Sequence, residues 1–279
     1  MKTLYISDLD GTLLNTDAQL SVYTEKTLTR LIEEGAEITF ATARTSETAF
    51  PILKNVPFRL PVVLMNGVLI YDMLTGEYLH KNPLSEDTVA EVKALIKKCG
   101  VSGFVYRLLD TGLMTYYENL DSAVKREFVE SRKEKYGKPF TQVDDFQRLS
   151  ADSTVYFCLL EPKEKLNPVA DILKQRKDIG YSYYRDVYHP GMWFLEIYSA
   201  SASKYYAVEW LRNHLKPDEI IGFGDNLNDL PLFRACDKGY AVKNAVEELK
   251  VAADDVIGSN IEDGVARFLK QQIEKSDCK

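Results

Sequence analysis

Residues 3–12 read Thr3-Leu4-Tyr5-Ile6-Ser7-Asp8-Leu9-Asp10-Gly11-Thr12, a short apolar run followed at once by two aspartates. The run has the β-prone composition of a buried strand. In an open parallel sheet, ligands bind where the strands end, so Asp8 and Asp10 are candidates for a site at that edge. Gly11 permits a sharp turn that brings backbone N–H groups near an anion. A polar Asp-Gly turn with no function explains this loop equally well.

The remainder of the first third alternates between strand and helix patterns. Residues 36–41 and 61–65 are apolar β runs. A helix with Ser21 as its N-cap and Gly35 at its end precedes the first run, and another helix is expected from about Thr45. Strands that alternate with helices in this order favour a parallel sheet covered by helices.

The same alternation returns from Ser203 onward, whereas the middle third of the chain differs. There, helices are combined with pairs of short strands that resemble hairpins, which favours a smaller α+β domain. We therefore expect an α/β protein with a Rossmann-like core of parallel strands. Its core is predicted over residues 1–82 and 189–279, and the inserted α+β domain over residues 83–188.

Composition excludes several classes of protein. A chain of 279 residues is long for one domain of about 150 residues, which agrees with an insertion. The 35 Lys and Arg against 42 Asp and Glu give a net charge of −7, so binding to a nucleic-acid backbone is not expected. No apolar run approaches the ~20 residues of a membrane span, so no membrane partner is expected either.

The cysteines and the amino terminus indicate a cytoplasmic protein with reduced thiols. Asp8 and Asp10 interrupt the first apolar run before it could form a signal-peptide core. The four cysteines lie far apart and form no Cys-x-x-Cys pair, and with three histidines a zinc site has little support. The cysteines are Cys99, Cys158, Cys236 and Cys278.

A second acidic loop follows the predicted strand over residues 219–223. It reads Gly224-Asp225-Asn226-Leu227-Asn228-Asp229. In a parallel sheet this loop opens on the same edge as Asp8 and Asp10, and carboxylates crowded together cannot all stay ionised without a cation. Hard oxygen ligands favour Mg²⁺, which keeps waters that a substrate phosphate can replace. The alternative is that Asp and Asn only cap the next short helix.

Three further residues are candidates for the site because of where they lie in the predicted elements. Thr42 follows the second strand and could bind a phosphoryl oxygen, although threonine is also an ordinary N-cap; Asn66 follows the third strand and is equally ambiguous. Lys204 opens a helix, where lysine is less favourable than at a carboxyl terminus; a surface lysine is the default, but a nearby anion would explain it. Four candidate residues each lie at the carboxyl end of a separate predicted strand: Asp8, Thr42, Asn66 and Asp225. This coincidence is more specific evidence for a site than any single short motif.

Taken together, these motifs resemble those of haloacid dehalogenase (HAD) superfamily phosphatases. The matching segments are Asp8-Leu9-Asp10-Gly11-Thr12-Leu13-Leu14, Ala41-Thr42-Ala43-Arg44, Asn66-Gly67, Ser203-Lys204 and residues 224–229. Their spacing is similar to that of the Cof-type subfamily, whose large type IIB cap lies between the second and third motifs. The motifs cover the two flanking thirds, and the middle third is matched by length, position and mixed α/β character. Ala43 and Tyr205 stand where the family often has glycine.

The resemblance implies a Mg²⁺-dependent phosphatase that hydrolyses small phosphomonoesters, such as sugar phosphates, through an aspartyl-phosphate. Asp8 would be the nucleophile, and Asp10 would protonate the leaving group and later take a proton from water. Asp8, the backbone carbonyl of Asp10 and Asp225 would hold the metal, with Asp229 supporting it.

The resemblance also implies a phosphate site made by several short segments. Its members would be Thr42, Lys204 and Asn228, with the amides of Leu9 and Ala43. Arg44 and Asn66 are further candidates for substrate contact, and the cap is expected to close over the leaving group and select it. The tyrosines at 116, 117, 183 and 184 could line a ring pocket, but period-two aromatics are better explained as strand packing.

Other functions remain open at this point. A phosphomutase or phosphonatase would use the same covalent chemistry. A non-catalytic Ca²⁺ module is disfavoured because an EF-hand loop needs Gly at position 6, whereas Gly11 falls at position 4 and two leucines follow. A degenerate phosphatase that only binds is disfavoured because every expected reacting group is present. The substrate and the oligomeric state cannot be read from the chain.

Overall fold

The computed structural model describes residues 1–186 and 189–277. The strands are β1 (Thr3–Ser7), β2 (Glu37–Phe40), β3 (Val62–Leu64), β4 (Leu69–Asp72), β5 (Glu77–Lys81), β6 (Gly103–Leu109), β7 (Gly112–Tyr117), β8 (Phe140–Gln142), β9 (Thr154–Pro162), β10 (Ile179–Arg185), β11 (Met192–Ser199), β12 (Glu219–Gly224), β13 (Lys238–Val242) and β14 (Asp255–Ile257). The helices are α1 (Val22–Glu33), α2 (Ser46–Leu53), α3 (Glu86–Cys99), α4 (Ala123–Tyr136), α5 (Lys163–Leu173), α6 (Lys204–Leu215), α7 (Leu230–Ala235), α8 (Glu247–Ala252) and α9 (Gly264–Asp277).

The core unit contains a parallel sheet with the strand order β14-β13-β12-β1-β2. β1 lies between β2 and β12, and its residues Leu4 and Ile6 are fully buried, as expected for a strand covered on both faces. A parallel bridge between Ala41 and Val63 brings β3 alongside β2, and β3 pairs with β4 in a smaller antiparallel sheet. The predicted α/β core of parallel strands is confirmed.

Local sequence signals explain where the first helix of the core begins. The Ser21 side chain accepts a hydrogen bond from the backbone N–H of Thr24, which satisfies one of the free donors at the start of α1. α1 then buries one apolar face that includes Leu28 and Leu31, and Gly35 follows its end with a φ of +100°. The cap and the stop predicted from sequence are both confirmed.

The inserted unit has a sheet of its own, with the order β10-β11-β9-β6-β7-β8. Its pairs are antiparallel except for β7 and β8, and its buried core joins the sheet to α3 and α5. Tyr116 and Tyr183 pack against this core, and Tyr184 stacks on Phe194, in line with strand packing for these tyrosines.

The boundaries of the inserted unit differ from the predicted range of 83–188. The chain divides into one unit of residues 1–80 with those from Ser203 onward, and another of Lys81–Ala202. The second boundary moves because β11 pairs with both β9 and β10 and therefore belongs to the inserted sheet. Residue 188 itself lies outside the described residues.

Three of the cysteines, Cys99, Cys158 and Cys236, are free thiols, and Cys278 lies outside the described residues. Burial raises the pKa of the Cys158 and Cys236 thiols, so neither is a reactive thiolate at neutral pH. Within residues 1–186 and 189–277, no helix has both the length and the apolar character needed to cross a membrane.

Candidate active site

The loop after β1 places Asp8 at the carboxyl edge of the core sheet. Asp8 is buried, and its backbone N–H donates to the carbonyl of Phe223 at 2.9 Å, so the strand pairing extends to the aspartate itself. The loop then turns at Gly11, whose φ is +77°. A Cβ at this position would overlap the carboxylate of Asp225. Only glycine therefore satisfies both the backbone conformation and the close approach of the second acidic loop.

The second acidic loop, after β12, is held by its own aspartate. Oδ2 of Asp229 accepts hydrogen bonds from the backbone N–H groups of Asp225 at 3.0 Å and Asn226 at 3.1 Å. Thr12 of the first loop donates through Oγ1 to Oδ1 of Asp225 at 3.0 Å. The two loops that sequence analysis expected to meet therefore contact each other directly.

Lys204, at the start of α6, lies inside this acidic cluster. Its Nζ donates to Oδ1 of Asp8 at 2.5 Å and to Oδ1 of Asp229 at 2.6 Å, and its side chain is completely buried. Gly67 allows this placement because a Cβ there would overlap the carbonyl of Ser203, the N-cap of α6. The nearby anions that a lysine at a helix amino terminus requires are thus carboxylates of the protein itself.

Asp8, Asp225 and Asp229 each contribute one carboxylate oxygen to a group whose members all lie within 4.8 Å of one another. Burial raises the pKa of Asp8 well above its usual range, with the charges of Asp229 and Asp225 adding to the effect and Lys204 opposing it. Burial together with the charge of Asp229 raises the pKa of Asp225 to about 7. Burial disfavours the charged form of Lys204, but the two adjacent carboxylates outweigh burial and raise its pKa.

This charge distribution fits a divalent cation. If all three carboxylates are ionised, Lys204 offsets only one of their negative charges. Burial raises the pKa values of Asp8 and Asp225, and the neighbouring carboxylates raise them further. Carboxylate oxygens in such a group are the donors that Mg²⁺ prefers. The carboxylate of Asp229, predicted only as a supporting residue, lies within the group itself. Because Asp229 also binds Lys204 and two backbone amides, the supporting role stays a prediction.

Asp10 lies apart from that group of carboxylates. Its half-exposed side chain accepts two hydrogen bonds from Arg44, from Nε to Oδ2 at 2.7 Å and from Nη2 to Oδ1 at 2.6 Å. Arg44 is fixed in turn because its Nη1 donates to the carbonyl of Thr48 at 3.1 Å. The structure therefore joins two predicted site residues that the sequence had placed in separate roles.

The predicted phosphate-binding residues form a second contact network. Thr42 is fully buried, and its Oγ1 accepts from the backbone N–H of Arg44 at 3.1 Å, which leaves the hydroxyl proton for another acceptor. Asn66 is buried with a φ of +56°, and its Oδ1 accepts from Nδ2 of Asn228 at 3.4 Å. Leu9 and Ala43 adjoin Asp8 and Thr42 in the chain, and the binding roles of their amides stay predictions.

Two residues that contact the acidic loops are not among the predicted site residues. Thr12 belongs to the first motif, but its contact with Asp225 is not predicted from the sequence. Asn244 lies outside every motif, although its Nδ2 donates to the carbonyl of Gly11 at 2.7 Å. A signal existed, because Asn244 follows the end of β13 at Val242 and so obeys the same edge rule as the other loops.

Comparison with known proteins identifies the family to which the chain belongs. A family model described as haloacid dehalogenase-like hydrolase matches residues 5–269. The HMP-PP phosphatase of Serratia proteamaculans is 29% identical over 278 residues, which cover 97% of this chain and 95% of the relative. The 5-amino-6-(5-phospho-D-ribitylamino)uracil phosphatase YitU of Bacillus subtilis is 26% identical over 277 residues, with 95% of each chain covered.

The fold is also similar to that of a haloacid dehalogenase-like hydrolase from Bacteroides thetaiotaomicron. The TM-score is 0.80 at 24% identity, and the match covers 97% of this chain and 99% of the other. The likeness at this identity concerns the fold alone, whereas the family model spans nearly the whole chain. The protein is therefore an enzyme of the haloacid dehalogenase-like hydrolase family.

Proposed function

We propose that this hydrolase is a Mg²⁺-dependent phosphatase that cleaves small phosphomonoesters through an aspartyl-phosphate on Asp8. The observation that carries the proposal is the buried contact of Lys204 with Asp8 and Asp229, beside the carboxylate of Asp225. This arrangement offers a carboxylate nucleophile, a fixed cation and oxygen donors for a metal at one edge of the sheet. Burying several charged side chains is costly, and such a group is typical of a site that binds a charged substrate, here the phosphate.

Asp8 is proposed as the nucleophile because it is the carboxylate that Lys204 holds at the end of β1. A carboxylate must be ionised to attack phosphorus, and burial alone works against ionisation. The ammonium group of Lys204 opposes that effect and fixes the orientation of Oδ1. Asp8 and Asp225 would hold Mg²⁺, which when bound would supply positive charge against the carboxylates and the phosphoryl oxygens.

Asp10 is proposed as the general acid and then the general base. It lies two residues from the nucleophile and is half exposed, so it can reach a leaving group that Asp8 cannot. Both of its oxygens accept from Arg44. To act as the acid, Asp10 must first take up a proton from water on one of these two oxygens, so one of the bonds to Arg44 has to open. We propose that the incoming dianion draws Arg44 away, and that Asp10 then passes this proton to the leaving oxygen.

The phosphoryl oxygens are proposed to bind Thr42, Lys204 and Asn228. The free hydroxyl proton of Thr42 and the ammonium of Lys204 are donors, and the Asn228 amide is held by Asn66. The amides of Leu9 and Ala43 would complete the set. Removing one donor of this kind typically costs about 2.7–4 kcal/mol in the transition state, or about 10²–10³ in rate.

The proposed substrate class comes from the names of the relatives. The relatives from S. proteamaculans and B. subtilis are named as phosphatases, and the name of the second specifies a small phosphorylated metabolite. We propose a substrate of the same class for this chain. A cytoplasmic location agrees with such a substrate and remains part of the proposal.

A phosphomonoester screen with purified protein tests the proposal. With Mg²⁺, at least one sugar or nucleotide phosphate should release inorganic phosphate, and EDTA should abolish the release. Asp8→Asn should lower turnover by at least 10³-fold while Mg²⁺ still binds. Asp255→Asn is the matched control, because Asp255 is exposed at the amino end of β14, the edge opposite the site.

Particular results would contradict the assignment. Near-normal turnover by Asp8→Asn would exclude Asp8 as the nucleophile. Full activity after chelation would exclude the metal. Activity that appears only with a bisphosphate activator, with burst kinetics, would show a phosphomutase instead of a phosphatase.

A further inference from the structure

We infer that Asn244 is a positioning residue that holds the Asp10 loop in its working geometry, an inference that rests on the proposed function. Asn244 lies in the segment after β13 and donates through Nδ2 to the carbonyl of Gly11, the residue next to Asp10, at 2.7 Å. Its Oδ1 accepts from the backbone N–H of Asn260 at 3.0 Å. One side chain therefore joins two loops at the carboxyl edge of the core sheet.

A second asparagine fixes the far end of the same loop. Asn260 donates through Nδ2 to the carbonyl of Leu14 at 2.9 Å. Residues 9–14 thus have two carbonyls anchored by side-chain amides, at Gly11 and at Leu14. Asp10 and Gly11 both have non-helical backbone angles, so regular helical hydrogen bonds do not hold this part of the loop. The hydrogen bonds from the two asparagine side chains hold it instead.

The segment that carries Asn244 is also attached to the metal-binding loop. The backbone N–H of Val246 donates to the carbonyl of Asp225 at 2.9 Å. Residues 244–246 therefore contact the loop of the general acid on one side and the loop of a proposed metal ligand on the other. This segment therefore fixes the distance between Asp10 and Asp225. The reaction requires that distance to stay constant while Asp10 transfers its proton.

This role differs from a contribution to folding. Asn244 is exposed and its amide contacts the backbone of the partly exposed Gly11, so its removal takes no side chain out of the core. A displaced catalytic group can nevertheless slow a reaction by up to about 10²-fold. We expect Asn244→Ala to lower kcat by about tenfold, equal to about 1.4 kcal/mol, with KM changed less than about twofold.

The test measures kcat and KM with Mg²⁺ for the sugar or nucleotide phosphate that the screen identifies, because its alkoxide needs a proton from Asp10 as it leaves. The proteins are wild type, Asn244→Ala, and both in the Asp10→Asn background. Because Asn244 acts through Asp10, its removal should cost less than about twofold once Asp10 is already disabled. Amide hydrogen exchange over residues 9–14 should speed up in Asn244→Ala without any substrate. The control is Asn213→Ala, an exposed asparagine that donates to Glu209 within α6 and should change neither measurement.

The outcomes separate this inference from the proposed function. Wild type that hydrolyses no phosphomonoester contradicts the proposed function, whereas active wild type with equally active Asn244→Ala contradicts the inference. An equal loss in both backgrounds, or unchanged hydrogen exchange, shows a role that does not pass through Asp10. If Asn244→Ala does not fold, Asn244→Asp gives the same measurements, since it keeps the acceptor for Asn260 and replaces the donor to Gly11 with a carboxylate oxygen, which cannot bind that carbonyl.

Discussion

The ammonium nitrogen of Lys204 lies 2.5 Å from a carboxylate oxygen of Asp8, although 196 residues separate the two in the chain. The contact is completely buried on the lysine side and nearly so on the aspartate side. Lys204 also binds Asp229, so it joins the proposed nucleophile to the loop that carries the proposed metal ligand Asp225. This side chain is one of the contacts that bring the two ends of the polypeptide together at the site, as is the hydrogen bond from Thr12 to Asp225.

Replacing Lys204 with methionine should therefore reduce both stability and activity. Methionine has a similar length but leaves two buried carboxylates without their partner, which typically destabilises a protein by about 3–5 kcal/mol. Urea unfolding in EDTA should show this loss. Turnover should fall by at least 10²-fold because the nucleophile loses its orientation.

Lys238→Met is the control for this experiment. Lys238 pairs with Glu219 at 2.8 Å, but its side chain is about half exposed. Its removal should change the free energy of unfolding by no more than about 1 kcal/mol. If the two lysine variants lose the same free energy of unfolding, the buried contact of Lys204 stabilises the protein no more than the exposed pair does.

The affinity for Mg²⁺ should depend on pH around neutrality. In the absence of metal, burial and the charge of Asp229 raise the pKa of Asp225 to about 7, so Asp225 keeps its proton below that pH. Metal ligands must be deprotonated, so affinity should fall as the pH drops from 8 to 6, and binding should release protons. Titration calorimetry in two buffers of different ionisation enthalpy measures both effects.

The same pKa shift predicts how pH affects stability without metal. A carboxyl group whose pKa is higher in the folded state binds more protons folded than unfolded, so stability decreases as the pH rises from about 4 to 7. Asp225→Asn should therefore stabilise the metal-free protein at pH 8, by at most about 4 kcal/mol, and should abolish stabilisation by Mg²⁺. A Mg²⁺ affinity that is constant from pH 6 to 8 would contradict this explanation.

Alanine at position 11 should weaken the metal site by a direct collision. Gly11 has a φ of +77°, and a Cβ there would overlap the carboxylate of Asp225. We expect Gly11→Ala to lower the affinity for Mg²⁺ by at least tenfold, because that carboxylate must move. Fluorescence or calorimetric titration with MgCl₂ measures the change.

Gly76→Ala separates this collision from backbone strain. Gly76 has nearly the same φ, +78°, but a Cβ there would meet only the Tyr71 hydroxyl at an ordinary 3.5 Å. The strain is therefore matched, and Gly76→Ala should destabilise the protein while its affinity for Mg²⁺ stays unchanged. Equal losses of affinity in the two variants would rule out the collision with Asp225.

Most of the core architecture could be predicted because its signals are local. The apolar run at residues 3–7, the N-cap Ser21 and the aspartates that follow β1 and β12 depend on neighbours within a few residues. The rule that parallel strands end at one edge then brings Asp8 and Asp225 to the same side of the sheet. Sequence by itself thus determined the fold class and which loops would form the site.

Tertiary structure alone decided the burial of Lys204, the pairing of Arg44 with Asp10, and the contact of Asn244 with Gly11. It also assigned β11 to the inserted sheet, a strand whose own residues predict β structure but not its partners. These features depend on which distant segments supply hydrogen-bond partners and exclude water. A lysine or an asparagine has the same local sequence signal whether it faces solvent or a carboxylate, so only the packed chain distinguishes the two.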